Sequence, residues 1–148
     1  MIALACDHGG FDLMQIVKSL LDDEGFSYTD FGTFSVESTD YPVYAVSAGN
    51  AVAHGECQLG ILICGTGIGM SIAANKIAGI RAALCCNVFM AEMARMHNDA
   101  NVLVLGARVL DSDVALDIIR VFLHSHFDGD GRHGRRVKML SDLDAARE

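Results

Sequence analysis

The chain is expected to fold as an α/β protein, a Rossmann-like three-layer α/β/α sandwich around a five-stranded parallel sheet. Three observations predict this. Short apolar runs alternate with helix-patterned stretches along the 148 residues. The run Leu59–Cys64 is apolar at nearly every position, as strands covered on both faces are. No repeat, proline-rich linker or low-complexity tract marks a second domain, so residues 1–148 read as one unit.

Ile2–Cys6 reads as the first strand. Behind it Leu13, Ile16, Val17, Leu20 and Leu21 fall at helical spacing and form one amphipathic stripe. Tyr28–Phe31 reads as a second strand, and Pro42, the single proline, suits a helix first turn that continues through Ala45, Ala48 and Val52. Leu59–Cys64, Arg81–Cys85 and Val102–Leu105 supply three more strands. Helices are expected over Val88–His97 and Ser112–His126, the latter with Ser112 as N-cap and Ala115, Ile118, Ile119 and Phe122 facing the core. Arg135–Arg147 reads as a charged surface helix with apolar Val137, Met139, Leu140 and Leu143, suited to docking on a partner subunit.

Composition narrows the function. With 51% hydrophobic and 20% charged residues the chain is too apolar for disorder. The longest uncharged run, Cys57–Asn75, reaches membrane-spanning length, but its four glycines and internal polar residues make it a strand, a loop and a helix start. Asp7 comes after only a few apolar residues, without a basic region before them, so no secretory signal is read and a cytoplasmic address is expected. Five cysteines at irregular spacing fit reduced thiols, and no paired motif suggests a metal; neither metal nor other cofactor is expected. The net charge of −8 disfavours nucleic acid and anionic membranes as partners.

In parallel sheets of this kind ligands bind outside the carboxyl ends of the strands. Three loops qualify: Asp7-His8-Gly9-Gly10, Cys64-Gly65-Thr66-Gly67-Ile68-Gly69 and Gly106-Ala107-Arg108. Gly65, Gly67 and Gly69 let a backbone turn tightly and aim N–H groups into one concavity, which favours an anion. Met70 occupies the third glycine position of a dinucleotide fingerprint and the arginine position of a cysteine-phosphatase loop, and no Lys-Ser/Thr comes after it for a Walker loop. Cys64 closes its strand at the mouth of this loop, where neighbouring amides would favour a thiolate. For a strand cysteine in general, burial in the core is the commoner role, and Cys6, Cys57, Cys85 and Cys86 are read that way.

His54, His124 and His126 read as solvated. His8, His97 and His133 sit in more suggestive company, although a surface role competes with a catalytic one for His97. Arg132 and Arg136, four apart, can project from one side of a helix start and grip a phosphate with forked donors.

The segments Asp7-His8-Gly9-Gly10, Thr39-Asp40-Tyr41-Pro42, Ile63 through Lys76, Gly79-Ile80-Arg81-Ala82, His97-Asn98-Asp99-Ala100-Asn101 and Gly131-Arg132-His133 together resemble the ribose-5-phosphate isomerase B family, which includes galactose-6-phosphate and allose-6-phosphate isomerases. The resemblance runs from Met1 to about Arg136. It implies metal-free aldose–ketose isomerisation of phosphorylated sugars in homodimers or tetramers, at a site shared between subunits. On this resemblance Cys64 is the base that moves a proton between C1 and C2; one branch uses a glutamate six positions on, where this chain has Met70. Thr66 assists in the loop. Asp7 and His97 assist ring opening, with His97 from the neighbouring subunit. Tyr41 and Asn98 contact the sugar, as does the loop of Gly65, Gly67, Ile68 and Gly69. His8, Arg132, Arg136 and, from the partner chain, Arg108 bind phosphate.

The turn Gly129-Asp130-Gly131 is one residue longer than the family pattern, and Asp130 adds a negative charge beside the expected phosphate site. Three readings stay open: a ribose 5-phosphate isomerase, a galactose- or allose-6-phosphate isomerase that can require a heteromeric partner, and a noncatalytic sugar-phosphate-binding module.

Overall fold

A computed structural model describes residues 1–146. The strands are β1 (Ile2–Cys6), β2 (Tyr28–Asp30), β3 (Leu59–Cys64), β4 (Ala82–Leu84) and β5 (Val102–Gly106). The helices are α1 (Phe11–Asp23), α2 (Tyr41–Ala53), α3 (Ile68–Ala74), α4 (Val88–Asn98), α5 (Ser112–His124) and α6 (Gly131–Ala145). All strand pairs are parallel, in the order β2-β1-β3-β5-β4.

Side-chain alternation divides the sheet into two cores. Ile2, Leu4, Cys6, Ile61, Ile63, Leu103 and Leu105 face α1, α4 and α5. Ala3, Ala5, Leu62, Cys64, Val102 and Val104 face α2 and α3. The second face is lined by small residues, and α2 answers with buried Ala45, Ala48, Gly49 and Ala51. Each sheet face therefore has a helical layer, as the sequence predicts. α6 buries no residue of its own; it lies outside the layers, against the end of α4 and beside the β4 edge.

Several boundaries differ from expectation. The edge strands are shorter: β2 stops at Asp30 and β4 covers only Ala82–Leu84, because an edge strand has one neighbour to pair with. Ser112 is the first helical residue of α5 rather than its cap; extended Asp111 precedes it as N-cap, with no side-chain capping bond. α5 ends at His124, two residues early. α6 begins at Gly131, four residues before the charged stripe, with Asp130 in extended N-cap geometry ahead of it. Arg147, the last residue of the expected helix, lies outside the described residues.

Strand order changes direction between β1 and β3, so a crevice opens at their carboxyl ends. The loops there touch backbone to backbone. A Cβ on Gly10 would lie 2.4 Å from the Ile63 carbonyl oxygen, and one on Gly106 would lie 2.5 Å from that of Thr66. Asp7 N–H donates to Ile63 O at 3.2 Å, and Ala107 and Arg108 N–H donate to Cys64 O and Gly65 O, both at 2.9 Å. Three strand ends are thereby joined into one rim. Gly10→Ala is expected to force these loops apart at a cost of about 2–3 kcal/mol, read as a lowered urea midpoint with an unchanged slope; an unaltered midpoint would show that the rim tolerates the methyl group.

Candidate active site

At the rim, Cys64 is 4% exposed, and its Sγ faces the glycine turn, where it accepts the Gly67 N–H at 3.1 Å. Gly67 reaches this position at φ 78°, in the left-handed region. Cys64 is thus buried, as strand cysteines usually are, yet its sulfur is directed to the loop.

The other thiols have different surroundings. Burial pushes the Cys6 thiol up to about 12 and the Cys85 thiol up to about 11, and burial also raises Cys57. These fit the core role read from the sequence. Cys86 does not: it is exposed, because β4 ends before it and the chain is already turning into α4.

Asp7, also buried, comes directly after Cys6 and stands across the crevice. Its Oδ1 accepts the Gly9 and Gly10 N–H groups at 2.9 and 3.2 Å, which fixes the carboxylate at the head of α1. His8 Nδ1 accepts the Thr39 N–H at 3.2 Å, so the ring presents Nε2 as its donor. Thr39 Oγ1 and the Tyr44 hydroxyl share a hydrogen bond of 3.0 Å that ties this loop to α2. The Tyr41 ring, at the start of α2, lies against Gly69, where a Cβ would come within 2.5 Å of it. Arg108 reaches over the loop of its own chain: a Cβ on Gly65 would be 3.0 Å from its Nη1. It makes no ion pair among the described residues, whereas Arg81, Arg95 and Arg120 each hold a carboxylate at 2.9–3.1 Å.

The loop amides divide their work. Gly67 N–H serves the sulfur and Ile68 N–H donates to Thr66 Oγ1 at 3.3 Å, so these two are committed within the loop. Thr66, exposed, retains its hydroxyl proton for donation. The Gly69 amide remains to meet a ligand oxygen.

His97 and Asn98 do not join this group within one chain. They end α4, and helices in a parallel α/β unit run back to the amino edge of the sheet. Cys64 pairs in register with Gly106, while Gly60 pairs with Val102, which Asn98 precedes by only a few residues. The edges are one strand apart, about 13 Å for four steps of 3.3 Å. No side chain at His97 can span that distance to its own Cys64.

Arg132 and Arg136 share the His97 end, on the first turns of α6, and make no ion pair among the described residues. His97 and His133 stack there with ring centroids 4.0 Å apart and planes 4° from parallel. Two clefts of about 400 Å³ lie at this end, both lined by Asn98, Leu140 and Leu143, one of them also by Arg136. Within one chain, then, Arg108 stands with Cys64 and His8, and Arg132 and Arg136 stand with His97. The reason is topological, since α6 packs on the end of α4 and β5 ends beside β3.

Asp130, the negative charge of the longer turn, is exposed at the α6 N-cap. Sequence reasoning missed the roles of Thr39 and Tyr44 in holding His8, and the pairing of His133 with His97. Thr39 and His133 lie in segments that carry the family resemblance, but their hydrogen-bond and ring partners are distant in sequence. Among the described residues no three His, Cys, Asp or Glu side chains converge as a metal site requires, and no helix is long and apolar enough to cross a membrane.

Fold and crevice together define an α/β protein of the switch-point type, with a thiol, a carboxylate and an unpaired guanidinium on one rim. Residues 2–140 match the Ribose/Galactose Isomerase family. Ribose-5-phosphate isomerase B of Escherichia coli is 47% identical over 146 residues, covering 99% of this chain and 97% of that protein. The structure of ribose-5-phosphate isomerase B from Clostridium thermocellum superposes with a TM-score of 0.97 at 47% identity, covering 99% of each chain. That of the Thermotoga maritima ribose 5-phosphate isomerase gives 0.92 at 48% identity, covering 95% of this chain and 97% of the other. The chain belongs to the Ribose/Galactose Isomerase family.

The contrast among thiols yields a pH test. Cys6 ionises near 9 when unfolded but stays protonated to about 12 when folded, so the folded state holds more protons between these values and loses stability as pH rises through 9. Cys6→Ala lacks this penalty. The stability gap between wild type and Cys6→Ala should narrow by about 1 kcal/mol from pH 7 to pH 10 in urea denaturation; a gap independent of pH would mean that the thiol is not desolvated.

Proposed function

We propose that the protein is an aldose–ketose isomerase of phosphorylated sugars, with ribose 5-phosphate and ribulose 5-phosphate as its substrate pair and the cytoplasm as its setting. The observation that carries this reading is the Cys64 sulfur at the tip of a central strand, held by the Gly67 amide, with Tyr41 and Arg108 against the same glycine loop and Asp7 and His8 in the loop packed beside it.

Isomerisation requires a proton to leave C2 of the open aldose and another to reach C1. A Cys64 thiolate takes the C2 proton, the electron pair forms the C1–C2 double bond, and negative charge develops on O1. The Gly69 amide and Thr66 hydroxyl donate to the enediolate oxygens, where fixed donors lower the barrier most. The O2 hydroxyl proton passes to O1, the thiol returns a proton to C1, the electron pair left on O2 forms the carbonyl at C2, and the ketose results. Met70 is buried in the core, so it adds no second base. The sugar phosphate is gripped away from the reacting carbons by Arg108 and the His8 Nε2 donor, and that remote hold keeps C2 near the sulfur.

Ribose 5-phosphate exists mainly as a furanose, and opening it requires a proton for the ring oxygen and an acceptor for the anomeric hydroxyl. Asp7 is on the rim; His97 is not. A second copy of the chain resolves this by bringing its amino edge, with His97, Asn98, Arg132 and Arg136, over the rim of the first. A two-fold dimer then contains two complete sites, each using both chains. Arg132 and Arg136 would complete the phosphate grip begun by Arg108. The exposed Met139, Leu140 and Leu143 of α6 give that copy an apolar surface to cover.

Purified protein incubated with five- and six-carbon aldose phosphates is expected to form ketose fastest from ribose 5-phosphate. Cys64→Ala should lower turnover by a factor of about 10³ or more while circular dichroism and phosphate-ligand binding persist. Turnover unchanged by this substitution would remove the thiol from the mechanism. After subunit exchange, an equal mixture of Cys64→Ala and His97→Ala chains should recover about one quarter of wild-type activity, because half the dimers are hybrid and each hybrid has one intact site. No recovery despite proven exchange would exclude a shared site.

A further inference from the structure

We propose that His133 is a positioning residue for His97, setting the plane in which the His97 imidazole meets the sugar ring oxygen. This rests on the reading that His97 assists ring opening. The two rings stack at 4.0 Å with planes 4° from parallel. Backbone contacts at both helix ends hold that arrangement.

The end of α4 is fixed first. Asp99 caps it in the left-handed region at φ 44°, a conformation unfavourable for a residue with a Cβ, and two arginines hold it there. Arg81 binds its carboxylate at 2.9 Å and Arg95 at 3.0 Å. Arg81 Nε also donates to the Asn98 and Asp99 carbonyls at 3.1 and 2.9 Å.

The start of α6 is then tied to that end. Asp128 N–H donates to Met96 O at 3.0 Å, and the turn closes so tightly that a Cβ on Gly134 would meet the Gly129 carbonyl oxygen at 2.1 Å. His133 stands between these anchors, in the first turn of α6, with its ring face covering that of His97.

The chemistry of the pair suits a fixed partner. Two imidazolium rings face to face would repel, so the stack readily accepts no more than one charge. Burial, the neighbouring His97, and then Arg132 and Arg136 hold His133 below the usual histidine range, with Asp128 opposing them. A neutral, flat His133 restricts rotation of His97 without competing for its proton. Ring opening is sensitive to that orientation. Proton transfer between C1 and C2, carried out by Cys64 at the other edge of the sheet, is not.

The experiment separates these steps. His133→Ala is expected to lower kcat for ribose 5-phosphate about tenfold to a hundredfold with KM little changed. Ribulose 5-phosphate, whose O5 carries the phosphate, cannot close a furanose; exchange of its C1 hydrogen with solvent deuterium needs only the thiol and should stay within about twofold of wild type. His133→Phe, which keeps a flat ring, should restore most of the turnover, and His133→Gln should not. The double variant His97→Ala/His133→Ala should be no slower than His97→Ala alone, because one variant acts through the other. Wild-type turnover from His133→Ala, or an equal fall in turnover and deuterium exchange with the fold intact, overturns the proposal. If wild-type protein does not isomerise ribose 5-phosphate at all, the parent reading falls and this proposal falls with it.

Discussion

The close approach of three strand ends is the constraint on which the site is built. β1, β3 and β5 are adjacent and parallel, so their carboxyl ends emerge side by side. Each of these strands leads into a loop that contains glycine. Gly10 lies against the Ile63 carbonyl, Gly9 against the Gly65 amide and Gly106 against the Thr66 carbonyl. At such distances a side chain would displace backbone rather than another flexible group. The site is a consequence of this backbone packing: a carboxylate from β1, a sulfur from β3 and a guanidinium from the turn after β5 share one rim because their loops have almost no space between them.

The same packing sets one core-strand thiol apart from the others. Cys6, Cys57 and Cys85 are desolvated and held protonated. Cys64 sits equally deep, but its sulfur faces the glycine turn and receives the Gly67 N–H. Cationic groups are divided in a similar way. Arg81, Arg95 and Arg120 are neutralised by acids and fix the fold, including the strained end of α4. Arg108, Arg132 and Arg136 carry no such partner among the described residues, which suits them to an anionic ligand in a protein of net charge −8.

A parallel sheet has two chemically distinct edges, and the side chains of the proposed site are divided between them. Helix direction places His97 at the amino edge as firmly as strand direction places Cys64 at the carboxyl edge. A single copy can complete neither set. In the proposed dimer, symmetry supplies what topology separates, and the stacked His97–His133 pair is built where a neighbour would need a rigid group already in place. Preorganisation of this kind lowers the cost of aligning acid and base when the substrate binds.

Residue order was enough to establish the class of fold, the succession and approximate extent of its elements, the family resemblance, and the loops that form the rim. Those features are local: helical spacing in α1 and α5, an unbroken apolar strand before a glycine loop, and contiguous segments such as Asp7-His8-Gly9-Gly10. Which groups meet was settled only in three dimensions. Thr39 on His8, Tyr41 on Gly69, Arg108 over Gly65, and His133 on His97 each join residues separated along the chain, and no periodicity encodes such pairs. Within one chain Arg108 lies at the Cys64 rim while Arg132 and Arg136 lie at the His97 end, because that placement depends on which sheet edge each segment reaches. Residue chemistry and spacing are written in one dimension, whereas the distance of about 13 Å between Cys64 and the His97 edge arises only when strands align and helices run back across them.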